Sequence, residues 1–108
     1  MAHQIGGDDL RGAAGFDSPY YLNILFNKIN NLWDNPFEGQ EQIKCVIYFV
    51  VGREGKIIDS AIETSSGISA YDQAALRAVL GCKPPRLPNQ FDSPELGIHL
   101  EFLYTPYE

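Results

Sequence analysis

The stretch Ile43–Val51 constrains this chain more than any other. Ile43, Cys45, Ile47, Phe49 and Val51 alternate with Lys44, Val46, Tyr48 and Val50, so both faces are largely apolar. A strand of that kind belongs in the middle of a sheet, covered on one side and partly covered on the other. The rest of the chain has to be arranged around it.

Gly52-Arg53-Glu54-Gly55 reads as a hairpin loop, with glycines available for positive φ. The return strand, Lys56–Ser65, is expected to turn Ile58, Ser60 and Ile62 inward and Asp59, Ala61 and Glu63 outward. A third strand runs from Leu96 to Tyr104. Its inner face is Leu96, Ile98, Leu100, Phe102 and Tyr104, and Gly97, His99, Glu101 and Leu103 lie opposite. It pairs most simply with the free side of the first strand, giving the order 2-1-3 and explaining why only the first strand is apolar on both faces.

Two helices complete the pattern. From Tyr20 to Trp33 the positions Leu22, Leu25, Phe26, Ile29, Leu32 and Trp33 follow helical spacing, against asparagines at 23, 27, 30 and 31. Ser18 suits the N-cap and Pro19 the first helical position, and Asp34-Asn35-Pro36 ends the helix. From Ala70 to Leu80, Tyr71, Ala75, Ala78 and Val79 share one side, with Leu76 and Leu80 at its edge. Ser69 and Asp72 have capping-box spacing, and Gly81 sits where a C′ glycine belongs. Pro84, Pro85 and Pro88 then exclude regular structure, so this segment should run extended over the surface and carry the chain back across the fold. Residues 1–17, with Gly6, Gly7, Gly12 and Gly15, read as a flexible linker, and 18–108 as one domain. The expected class is α+β: α-β-β-α-β, a three-stranded antiparallel sheet with both helices on one face.

Function classes narrow by elimination. The net charge is −6 and no Lys/Arg stripe exists, so neither nucleic acid nor an anionic membrane surface is an expected partner. No run of eighteen apolar residues occurs. Met1–Phe16 lacks a signal-peptide pattern, and we read the chain as a piece of a longer protein whose remainder holds any targeting or anchoring segment. His3 falls in the linker. His99 and Glu101 are about 7 Å apart on one strand face, the spacing of solvated residues rather than of a catalytic pair. Two cysteines are too few for a metal framework. Gly52–Gly55 lacks the length and following helix of a phosphate loop, and Ser65-Ser66-Gly67 reads as a turn before a helix. The sequence therefore offers no catalytic, cofactor-binding or metal-ligating residue, and points to a binding module rather than an enzyme.

Taken together, the chain resembles the TonB/TolA C-terminal domain family. Tyr20-Tyr21 through Trp33-Asp34-Asn35-Pro36 carry the likeness, followed by Val46–Val50 and Gly55–Asp59. The most telling piece is Ser65-Ser66-Gly67 before Tyr71-Asp72-Gln73-Ala74-Ala75-Leu76-Arg77-Ala78-Val79. Pro84–Pro88 and the closing strand complete it. The resemblance implies a periplasmic domain of an inner-membrane-anchored transducer, coupling energy to an outer-membrane receptor or another envelope protein. The Tyr-Pro pair found before the last strand in TonB-like members is absent; Tyr104-Thr105-Pro106 follows the strand instead.

The expected contact surface is the free edge of the last strand, since unpaired edges are templates for another chain. The residues assigned to it are Gly97, His99, Glu101, Leu103 and Tyr104, with Arg86 and Leu87 beside them. An extended partner peptide would add there as a further strand. The alternative is a self-associating envelope module that pairs with its own copy through the same edge. Finally, the topology puts Cys45 and Cys82 at opposite ends of the second helix. Ten helical residues span about 15 Å, whereas a disulfide needs Cα atoms within about 7 Å, so two free thiols are expected.

Overall fold

A computed structural model describes residues 2–9, 19–89 and 91–106. In chain order the elements are β1 (Ala2–Asp9), α1 (Pro19–Leu32), β2 (Ile43–Gly52), β3 (Ile57–Thr64), α2 (Ser69–Gly81) and β4 (Glu95–Thr105). The expected three-stranded core is present: β2 is central, antiparallel to β3 on one side and to β4 on the other. The sequence reading did not foresee β1. Within residues 1–17, read as linker, Ala2–Asp9 pairs antiparallel with β4 as a fourth strand, in the order β1-β4-β2-β3.

Alternation on β2 and β4 sets the core. Cys45, Ile47, Phe49 and Val51 are buried on one face of β2, and Leu96, Ile98, Leu100, Phe102 and Tyr104 on the same face of β4. Both helices cover this face. Helix α1 contributes Tyr21, Leu25 and Ile29, with Trp33 just past its end, at the four-residue spacing that lines up one face. Helix α2 contributes Tyr71, Ala74, Ala75, Ala78 and Val79; its alanines let the helix lie close to the sheet. Trp33 packs edge-on to Tyr71 at 5.2 Å and tilted against Phe102 at 4.8 Å. Pro19 opens α1 as expected, whereas Ser18 lies outside the described residues.

Some local expectations are corrected. A register shift between Val50 and Val51 sets Ile57 opposite Val51. Ile57 therefore takes the inward place, and Ile58 is left 54% exposed. Ser69 is the first residue of α2 rather than its cap; the N-cap is Ile68, and no side chain caps it. Gly81 ends the helix without positive φ, and Cys82 follows in extended conformation, its N–H closing onto the Val79 carbonyl at 3.2 Å. Cys45 and Cys82 are both buried and both free thiols, as the topology required.

Candidate functional site

The edge of β4 is built from the middle of the sheet outward. One side of β4 is fully engaged with β2, from Ile43 opposite Tyr104 to Gly52 opposite Glu95. Its other side faces β1, in a register running from Ala2 opposite Thr105 to Asp9 opposite His99, with an irregularity between Gly6 and Asp9. The residues assigned to the site thus divide three ways.

His99, Glu101 and Leu103 are half-buried and lie on the sheet face away from the helices. His99 does not pair with Glu101. Its Nδ1 lies 2.5 Å from Glu63 Oε1 on β3, and its ring rests on Tyr48 of β2 at 4.7 Å, so this contact spans three strands. Glu101 is paired with Lys44 instead, at 3.3 Å. Both are partly exposed contacts of small energetic weight, about 0–1 kcal/mol, and the two carboxylates and the imidazole form no catalytic arrangement.

Gly97 is buried beneath Tyr48. A Cβ there would lie 2.8 Å from the tyrosine oxygen, so the glycine makes room for that ring. It falls beyond the last residue of β4 that pairs with β1.

Tyr104 and Leu87 are not available as side chains. Tyr104 is 3% exposed, packs edge-on to Phe37 at 5.2 Å and donates to the Gly39 carbonyl at 3.0 Å. It fastens the α1–β2 connection to the sheet. Leu87 is 4% exposed within the core, whereas its neighbour Arg86 is exposed. The β4 backbone is paired on both sides, with β2 and with β1, and Leu103, Glu101 and His99 flank it on the face away from the helices.

The segment from Lys83 to Ser93 is held more firmly than a surface crossing. Arg53, in the β2–β3 loop, donates to the Pro88 carbonyl at 3.3 Å, to the Ser93 carbonyl at 3.0 Å and also to the Phe91 carbonyl. The Arg53 carbonyl accepts from the Leu87 N–H at 3.1 Å, and the Tyr21 hydroxyl donates to the Pro85 carbonyl at 2.8 Å. Gly55 adopts φ +89, and a Cβ there would lie 2.6 Å from the Pro84 carbonyl oxygen. A loop arginine was not singled out from the sequence; its position between two glycines gave no hint of carbonyl partners some 35 residues away.

At the opposite end of the sheet, Asp72 is the one buried charged side chain among the described residues. Its carboxylate accepts from the Ser66 N–H, the Ser66 hydroxyl, the Ser65 hydroxyl and the Cys45 thiol. Burial alone would raise its pKa. The hydrogen bonds from Ser65 and Ser66, with that of Cys45, outweigh burial and hold it below the usual value. Conversely, burial first and the neighbouring Asp72 charge second push the Cys45 thiol up to about 12. A thiol so placed is a poor nucleophile. Asp72 explains the Ser-Ser-Gly turn before α2, and its partners are all structural.

Among the described residues no group of three or more His, Cys, Asp and Glu side chains is placed to hold a metal ion. No helix of the described residues is long and apolar enough to cross a membrane.

The architecture is thus that of a small α+β domain: an antiparallel sheet backed by two helices. The family model described as TonB C terminal matches residues 18–100, and the chain belongs to that family. No curated protein and no solved structure matches it. Domains of this family are non-enzymatic, periplasmic and envelope-associated, and bind protein partners.

Proposed function

We propose that this domain is the periplasmic, protein-binding end of an inner-membrane-anchored transducer. It takes hold of an extended segment of an outer-membrane receptor or another envelope protein by strand addition along β4. One observation supports the reading above the others: the outer edge of β4, from His99 to Thr105, can hold an antiparallel strand, because Ala2–Asp9 lies along it. Main-chain hydrogen bonds would give such a complex its affinity, and Leu103, Glu101, His99 and Arg86 its selectivity. Energy transduction needs a linkage that bears load, and a row of backbone bonds on a strand already pinned to β2 along its full length meets that need.

The test is a titration of isotope-labelled domain with peptides taken from the periplasm-facing segments of outer-membrane receptors, following backbone amides. Shifts concentrated between Gly97 and Thr105 support strand addition. Shifts confined to α1 or to the Ser65–Ser69 turn would refute it. Sedimentation of the domain alone at rising concentration checks the alternative, in which the edge pairs with a second copy.

A further inference from the structure

The edge assigned to the partner is already filled. We propose that Ala2–Asp9 is a built-in competitor, an intramolecular strand that a partner must displace before it can bind; the inference rests on the strand-addition reading above.

Three features carry it. First, β1 and the proposed partner strand would use the same backbone groups, because one side of β4 is fully taken by β2 and only the other can accept a further strand. Second, the register is specific: Ile5 stands opposite Phe102, Gln4 opposite Leu103 and Gly6 opposite Glu101. Helix α1 also approaches β1. Third, β1 makes a poor permanent strand. Gly6 and Gly7 lie within it, and the pairing loses register between Gly6 and Asp9. Glycine inside a strand costs stability, so the cover is one that a better strand can replace.

Tethering sets the strength of the competition. A strand joined to its site by a short connection acts at an effective concentration on the order of mM. A free peptide of the same sequence, binding the vacated edge with a Kd of roughly 0.1 mM, would be weakened about tenfold by the tethered copy. A partner strand without the paired glycines would overcome that ratio, and a weak, unspecific one would not.

The experiment uses the whole chain and two proline variants, Gln4→Pro and Ile5→Pro. In an antiparallel pair neighbouring residues direct their N–H groups to opposite sides, so one of the two variants removes a donor aimed at β4. The probe is a synthetic peptide with the sequence of residues 2–9. In the stronger variant, the amides between His99 and Thr105 that face β2 should exchange as in wild type, and those that face β1 about tenfold faster. The added peptide should restore their protection, binding about tenfold more tightly than it binds wild type. Unchanged exchange in both variants, or equal peptide affinity for wild type and variant, overturns the competitor while leaving strand addition standing. Faster exchange, with the peptide's shifts falling on α1 or the Ser65–Ser69 turn, overturns strand addition itself.

Discussion

Ser66 and Asp72 face each other across the turn that leads from β3 into α2, with the Ser66 N–H 2.9 Å and its hydroxyl 2.7 Å from Asp72 Oδ1. With the Ser65 hydroxyl on the second carboxylate oxygen, this closes the turn and fixes the direction in which α2 leaves the sheet. Asp72→Ala removes the acceptor of several part-buried hydrogen bonds, each bond to a charged group being worth about 1.5–3 kcal/mol. Since the turn can partly open to water, the expected loss is about 2–4 kcal/mol in urea denaturation.

The same carboxylate gives acid sensitivity. Asp72 is held below its ordinary value of 3.8, so its contribution is complete well above pH 3.8 and is lost as the pH falls through the lower folded value. Asp72→Asn does not titrate. The stability gap between wild type and Asp72→Asn should be largest near pH 6 and shrink below about pH 4. A gap that stays constant from pH 6 to pH 3 would show that the charge contributes nothing.

Arg53→Ala should release the segment from Lys83 to Ser93 without unfolding the sheet. Three backbone carbonyls lose their donor, and a loss of about 2–3 kcal/mol is expected from bonds to a charged group. Limited proteolysis should cut between Pro88 and Ser93 in the variant and spare wild type. Gly55→Ala should act on the same contact by about 1–3 kcal/mol, because it combines positive φ with a close approach to the Pro84 carbonyl.

How far the fold could be read beforehand depended on whether the signal was local. The inner faces of β2 and β4 follow from periodicity, and the structure has them as read. Of the α1 stripe, Leu25, Ile29 and Trp33 are buried and Leu22 and Phe26 half-buried, whereas Leu32 is 48% exposed and Tyr21 takes the inward place. Ile58 was misplaced because Ile57-Ile58 offers an apolar residue to either face, and only the shift at Val50/Val51 chooses between them. Gly81 and the Ser69–Asp72 spacing met the rules for caps, but Asp72 found stronger donors in the turn behind it. Strand β1, Ala2–Asp9, has no alternation of apolar and polar residues to reveal it, and its two adjacent glycines read as linker. Leu87 and Tyr104, both expected to touch a partner, are buried: alternation along the last strand already puts Tyr104 on the inner face, whereas the proline content around Leu87 hides its burial.

Trp33→Ala should cost about 3–5 kcal/mol, the range for large core truncations. The ring fills the space between Tyr71 and Phe102, joining the end of α1 to both α2 and β4. Thermal unfolding checks it, and a melting temperature within a couple of degrees of wild type would contradict the packing.

Cys45 should resist alkylation in the folded protein. Burial and the Asp72 charge push its pKa up to about 12, so little of it is ionised at pH 8, and the group is buried besides. Cys82 is also buried, with its pKa raised. A thiol reagent should therefore find neither group over minutes in native conditions and both in denaturant.

Strand addition along β4 is tested most directly by placing a photocrosslinking residue at Leu103, at Glu101 and, as a control, at Asn27 on the exposed side of α1, within the full-length protein in its own envelope. Cross-links to one envelope protein from Leu103 and Glu101, through an extended segment of that protein and with none from Asn27, are the expected result. Cross-links to a partner from Asn27 alone, with positions 101 and 103 silent, would contradict it.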